Sequence, residues 1–407
     1  MLSNLLMKIL HVTHSMDPAR GGPPAVVARL AAAQAAAGHE VTIFAGEVLG
    51  TQAAINKSLA PIPHMTQVRL QTVALPESIK TLLFGQLSGH PGIAALDAAV
   101  SASDFVHVHE VWPVIVPLSA RACSRARRSY CVTPHSSLNT WGMAQRRLKK
   151  RVALEVLGWR GALSGARFLH MLNTAEVEQA RPLGLRTPCE IMPNGVFIEE
   201  MTPLPAPGSF RAKHPALGDR PFVLFLSRLH YKKGLDILAD AFALVAKSRA
   251  DIELVVAGPD DGERATVERK AADAGLSGRV HLIGPVYGRD KFAAYVDASV
   301  FCLPSRMEGF SMAITEALAC RTPVVISGEC NFPEVATGVP GGEHGACGVV
   351  TSELSASATA QGLLAVLGDE ASRRAMGERG QAMVHANYTW PAIARQSVEL
   401  YRKYAAV

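Results

Sequence analysis

Two glutamates eight positions apart, Glu308 and Glu316 in SRMEGFSMAITEAL (305–318), sit where an apolar run gives way to a helical pattern. If the helix opens near Phe310 or Ser311, the amides of Gly309, Phe310, Ser311 and Met312 lack intrahelical acceptors and carry the positive end of the helix dipole. Such a turn attracts anions, and Gly309 has no side chain to hold a phosphate away. Glu308 then lies beside the phosphate, where a carboxylate can accept from sugar hydroxyls. Glu316, more than a turn further on, can hold both hydroxyls of a ribose, so the two acids would bracket one nucleotide-sugar. Taken alone, the pair also fits a plainer reading in which Glu308 caps the helix and Glu316 is a solvated surface residue.

The second candidate is SRLHYKKGLDIL (227–238), with Arg228 ending an apolar run and Lys232, Lys233 and Gly234 before a helical pattern. Cations at the carboxyl end of a parallel strand face the usual ligand crevice. Arg228 and Lys233 could neutralise a diphosphate and its leaving charge without a metal, or KKG could be an ordinary solvated turn. Gly21 and Gly22 in ARGGPP (19–24) could let backbone amides approach a phosphate, although the loop does not match G-x-G-x-x-G and equally suits a simple turn. His135 in VTPHSSLNTW (132–141) follows a strand end and a proline, with Ser136, Ser137, Asn139 and Trp141 close behind. There it is either structural or a contact for the transferred sugar or its acceptor.

Positioning these residues requires strands that end at a common edge. KILHVTH (8–14), the glycine loop and a helical stretch from about Ala25 to Ala37 give a strand, loop and helix opening. Strands follow at 41–46, 106–110 and 129–135. MTPLPAPGS (201–209) suits a domain connection. Near-continuous apolar runs then recur at 221–229, 253–258, 280–284, 299–305 and 322–327, as in strands buried on both faces. Helices are expected at 235–246, 265–274, 289–294 and 311–319, and an amphipathic one over 389–404. The fold class is α/β, with a first domain over 1–200, a second over 201–388 and a closing helix over 389–407.

A chain of 407 residues exceeds what one core usually supports. Its net charge of +6 lies wholly in the first half, and Ser119 to Arg167 holds eleven basic residues against the single acid Glu155. That basic stretch, which contains RRLKKR (146–151), is a solvated helix face or a docking site for an anionic membrane surface. It carries no nucleic-acid recognition motif, and no nucleic-acid partner is expected. The seven cysteines show no C-x-x-C pair and no metal-ligand spacing. Leu5 to Val12 is too short an apolar run to span a bilayer or serve as a signal peptide, which points to the cytoplasm, peripheral at the inner face of the membrane. Asp260-Asp261 lies in a loop after Gly258-Pro259, so no catalytic metal is expected, and no cofactor.

Together these segments resemble glycosyltransferase family 4, retaining enzymes with the two-domain GT-B fold. The pieces that match are GGP, TPHSSL, IMPNGV, SRLHYKKG, VVAGPDDG, HLIGPV, the Glu-x7-Glu element EGFSMAITE, and a terminal TW plus helix, in that order over nearly the whole chain. The resemblance implies two Rossmann-like domains facing across a cleft, with the C-terminal helix returning to the first. It implies that Glu308 contacts the donor sugar and Glu316 the ribose, with Arg228 and Lys233 on the diphosphate, and Phe310 to Met312 on the phosphate through their amides. Val286 would lie near the nucleobase and His135 near the reacting sugar on the acceptor side. His-Ser-Ser stands here where His-Gly is frequent in the family. The implied reaction moves a hexose from a nucleoside-diphosphate sugar to a glycan or lipid-linked acceptor, in cell-surface polysaccharide synthesis. A nucleotide-sugar 2-epimerase of the same fold and a non-catalytic sugar-nucleotide-binding protein are the alternatives.

Overall fold

The computed structural model describes residues 6–46, 52–75, 78, 89–138, 143, 147–338 and 345–405. Asn139, Trp141 and Arg146 lie outside them. The chain forms two compact units, Met1–Asn194 with Trp390–Val407, and Gly195–Thr389.

The first unit is built on a seven-stranded sheet in the order β3-β2-β1-β4-β5-β6-β7. Its strands are β1 (Lys8–Thr13), β2 (Glu40–Ala45), β3 (Arg69–Thr72), β4 (Phe105–His109), β5 (Ser129–Thr133), β6 (Phe168–Met171) and β7 (Cys189–Ile191). All neighbouring pairs are parallel. The helix Gly22–Ala36 opens on Gly21, whose φ of 92° is a left-handed conformation natural to glycine, and buries an almost unbroken alanine and valine surface. The C-terminal helix Trp390–Ala405 buries Trp390, Ile393, Ala394, Ser397, Val398 and Tyr401, a 3.6-residue period that seats one face on the unit's core. Tyr401 stacks on Phe105 with ring centroids 4.5 Å apart, and Lys403 and Tyr404 both reach Glu190 of β7.

The second unit has a six-stranded sheet in the order β10-β9-β8-β11-β12-β13, again parallel throughout. Its strands are β8 (Phe222–Leu226), β9 (Glu253–Ala257), β10 (Val280–Gly284), β11 (Val300–Leu303), β12 (Val324–Ser327) and β13 (Gly348–Thr351). The central strands β8, β9, β11 and β12 are almost wholly buried because helices cover both faces. The expected α/β class with two Rossmann-like parallel sheets is thus what the chain adopts. Strands β3, β6, β7 and β13 are additional to those read from sequence, being only three or four residues long, too brief for periodicity to register.

Candidate functional site

In the second unit the helix Met312–Ala319 begins after β11, with Ser311 at its N-cap, whose side chain accepts no bond from the first amides. The helix therefore starts one residue later than Ser311, and Glu308 is not its cap. Glu308 instead accepts from Lys233 Nζ at 2.6 Å and from Ser305 Oγ at 2.6 Å. With side chains only 16% and 9% exposed, Lys233 and Glu308 form a largely desolvated ion pair, in which loss of either partner strands a charge. Two residues outside the sequence reading hold this turn. Asn331 Nδ2 donates to the Glu308 carbonyl at 2.8 Å, and Arg306 grips Asp236 through two parallel bonds of 2.8 and 2.7 Å. Burial works to raise the Asp236 carboxyl, but the Arg306 fork outweighs it and holds that group below the usual range. The Phe310 ring packs on Phe332 and Tyr388, which anchors the loop before the helix.

Glu316 is buried rather than solvated, and accepts from Lys291 Nζ at 2.7 Å. Arg228, just past β8, is half exposed and bonds Asp261 at 2.9 Å. Asp260, its neighbour, accepts from the amides of Gly262 and Arg264. The Lys232 amine is held below the usual lysine range by burial and by the adjacent charges of Arg228 and Lys233. Three cations are thus gathered where β8 ends, at the edge from which Glu308 also projects, an arrangement that favours an incoming anion. Val286 is half buried against the core of this unit.

In the first unit Gly21 and Gly22 line the start of the helix Gly22–Ala36, and a Cβ at either would meet nothing within 4 Å. His135 follows β5 at φ 48°, and Ser136 follows at φ 58°. Two successive L-residues in the left-handed region are uncommon and locally strained, and Ser136 stands at the very position where the family often has glycine. The loop is held by Glu176, buried below it, whose carboxylate accepts from the amides of Ser136 and Leu172. Sequence reading passes over Glu176, which is 40 residues away from Ser136.

His135, itself half buried, ends a ladder of four fully buried histidines. Residues alternate faces along a strand, so His107 and His109 of β4 share one face, and the register sets His11 of β1 opposite His107. His170 of β6 joins them. His11 Nδ1 lies 2.9 Å from His109 Nε2, and His109 Nδ1 lies 3.1 Å from His135 Nε2. Burial pushes His11 and His170 down to about 4, and His135 down to about 3, while His107 and His109 are held well below their ordinary value. All five are therefore neutral at pH 7. His11, His107 and His109 have ring nitrogens within 4.8 Å of one another, but those nitrogens bond Gln34, Tyr401, Thr133, His135 and each other. VHVHE reads from sequence only as a strand, although its alternation already puts both histidines on one face.

The basic stretch separates into two features. Arg121, Arg127, Arg128 and Arg167 line a cavity of about 550 Å³ at the amino edge of β5 and β6, the edge of the sheet away from His135. The helix Arg147–Val156 exposes Leu148, Val152 and Val156, at 76%, 43% and 73%, on a single stripe of i, i+4 spacing. Among the described residues, no helix is long and apolar enough to cross a membrane.

Parallel sheets with cations and an uncapped helix start at their carboxyl edge define a class of nucleotide-binding α/β proteins. The family described as "Glycosyl transferases group 1" matches residues 208–383, and "Glycosyl transferase 4-like domain" matches residues 21–195. The chain belongs to the group 1 glycosyltransferases of family 4, with the GT-B fold, and is a glycosyltransferase. It is 24% identical to the GDP-mannose-dependent alpha-(1-6)-phosphatidylinositol monomannoside mannosyltransferase of Mycobacterium tuberculosis, covering 98% of both chains. To the protein of the same description from Mycolicibacterium smegmatis it is 27% identical, over 96% of this chain and 97% of that one. Among solved structures, Anabaena Alr3699/HepE in complex with UDP superposes with a TM-score of 0.76 at 22% identity, over 98% of this chain and 100% of that one. Sucrose-phosphate synthase from Thermosynechococcus elongatus superposes with a TM-score of 0.72 at 23% identity, with the same coverage.

Proposed function

We propose that this glycosyltransferase moves a hexose from a nucleoside-diphosphate sugar, bound in the second unit, to a lipid-linked or glycan acceptor, with retention of configuration and without a metal ion. The observation that carries the reading is the buried Lys233–Glu308 pair beside the uncapped start of the helix Met312–Ala319. A diphosphate set against those amides would meet Lys233 and Arg228, leaving Glu308 to accept from the sugar and Glu316 from the ribose. Val286 would border the base, and in the first unit Gly21 and Gly22 would let backbone amides approach a phosphate. His135 would receive a hydroxyl of the transferred sugar or of the acceptor. The nucleotide-sugar is a substrate, and no cofactor is required. The mycobacterial relatives, named for GDP-mannose and phosphatidylinositol monomannoside, make an inositol-lipid acceptor the first choice.

Incubating the purified chain with GDP-mannose or UDP-glucose and lipid acceptors, with and without EDTA, tests this reading. Transfer is expected to survive the chelator, and Glu308→Ala is expected to lower the rate by about 100-fold or more while nucleoside-diphosphate binding persists. Loss of transfer with EDTA, or an undiminished rate in Glu308→Ala, would overturn it.

The helix Arg147–Val156 supports a peripheral site at the inner face of a membrane. An exposed apolar stripe flanked by Lys149, Lys150 and Arg151 suits insertion at an anionic lipid surface. Vesicles containing anionic lipid should co-sediment the chain, and Leu148→Asp with Val152→Asp should release it. Equal sedimentation with neutral vesicles would refute the electrostatic part.

A further inference from the structure

The hydrogen-bond polarity of the histidine ladder can be followed from its fixed ends. A backbone carbonyl can only accept, so His170 Nε2, 2.8 Å from Met192 O, must carry a proton. In a neutral ring His170 Nδ1 is then an acceptor, and it takes the hydroxyl proton of Thr133 at 2.9 Å. Thr133 Oγ1, its one proton spent, must accept from His107 Nε2. His107 Nδ1 is therefore an acceptor and takes the Tyr401 hydroxyl proton at 2.6 Å. Tyr401 Oη in turn accepts from the amide nitrogen of Gln34 at 3.3 Å. A second route gives the same orientation of Gln34. Ser397 Oγ donates to Ala394 O at 2.7 Å, so it accepts from Gln34 Nε2 at 2.8 Å.

With its nitrogen committed to the C-terminal helix, Gln34 turns its carbonyl oxygen to His11 Nε2 at 2.6 Å. His11 must then be protonated on Nε2 and accept on Nδ1 from His109 Nε2. His109 accepts on Nδ1 from His135 Nε2. Each link leaves one choice for the next, provided every ring is neutral, as burial keeps them. Among the described residues, His135 Nδ1 has no hydrogen-bond partner.

We propose that Gln34, His11 and His109 are positioning residues that hold His135 as its Nε2–H tautomer, so that the Nδ1 lone pair is the atom it presents to substrate. The inference rests on the reading that His135 meets a substrate. It adds that the group met must be a donor, such as a sugar or acceptor hydroxyl, and not a phosphate oxygen or a carbonyl. The tautomer is set from more than one residue away, by a glutamine on the first helix whose own amide is oriented by Ser397 and Tyr401. Neither the glutamine nor the C-terminal helix need touch the substrate to do so.

Two-bond proton–nitrogen correlation spectra of the full chain labelled with nitrogen-15 histidine read each tautomer directly. The unaltered chain should show His135 protonated on Nε2 and bare on Nδ1. Gln34→Met and His109→Phe should replace that single state with an exchange-averaged mixture, and His109→Phe should lower the transfer rate toward that of His135→Ala. Tyr401→Phe, which cuts only the other branch, should leave the His135 signals in place because Ser397 still orients Gln34. An Nδ1–H state in the unaltered chain overturns the inference whether or not the variants fold, as does an unchanged His135 spectrum in folded Gln34→Met. Full transfer by His135→Ala would instead remove the substrate contact on which it rests, leaving the spectrum to report the ladder alone.

Discussion

At the scale of single residues, the strongest constraint is conformational. Ser136 has a φ of 58° with its amide held by Glu176, a conformation that costs an L-residue about 1 kcal/mol or more relative to glycine. Ser136→Gly is therefore expected to raise the unfolding free energy by up to about 1 kcal/mol, measured by denaturant titration, with the hydrogen bond to Glu176 retained. A loss of stability would mean that the serine side chain does more than occupy the turn. That Lys233 and Glu308 each lie between a strand end and a helix start was legible in the sequence, because an apolar run gives way to a helical pattern at both places. Their ion-pair partners were not. Lys291 sits 25 positions from Glu316, and Lys233 sits 75 from Glu308, and only the closed fold brings those pairs together.

At the scale of elements, the buried histidines make the first sheet acid-sensitive. In the unfolded chain each titrates near 6.5, whereas His11 and His170 titrate near 4 and His135 near 3 in the folded one. Between these values the unfolded state binds protons that the native state refuses, so stability falls as pH falls from about 6.5 toward 4. Each such histidine contributes about 1.4 kcal/mol per pH unit to that slope. Thermal unfolding monitored from pH 7 to pH 4 should show a steep fall in midpoint, reduced in a His170→Asn variant. The second sheet has a different point of failure. Gly234 stands at φ 68° between the turn Tyr231–Lys233 and the helix Leu235–Ser248, and a Cβ there would lie 1.9 Å from the Pro304 carbonyl oxygen. Gly234→Ala is expected to cost about 3 kcal/mol and to move Lys233 from Glu308, which calorimetry and the transfer assay would detect together. Strands such as PFVLFLSRL announced themselves by unbroken apolar runs, while β7, CEI, with its ends exposed, could not. The polar ladder hid inside β1 and β4 because periodicity records which face is buried and says nothing of what that face holds.

At the scale of the whole molecule, the C-terminal helix belongs with the first unit although it follows the second in sequence. Tyr401 covers Phe105, and Ser397 and Tyr401 satisfy Gln34. Removing residues 390–407 should therefore loosen the first unit selectively. Hydrogen exchange would show lost protection in β1, β4 and β6, with protection in β8 to β12 retained. Uniform loss in both units would contradict this. The amphipathic pattern of 389–404 showed that the segment was a helix. It could not show which sheet that helix would cover, because an apolar face fits many surfaces and the selecting contact is a glutamine 363 positions away from Ser397.

The chain leaves the first unit at Asn194 and re-enters it at Trp390, and this path has a consequence for biosynthesis. On the ribosome, residues 195–389 form one uninterrupted stretch that can close on itself as soon as it emerges. The sheet made earlier lacks the Tyr401 contacts to Phe105 and His107 until the closing helix has been translated. The segment made first is thus the last to be finished, and its exposed layer is the one a chaperone would meet.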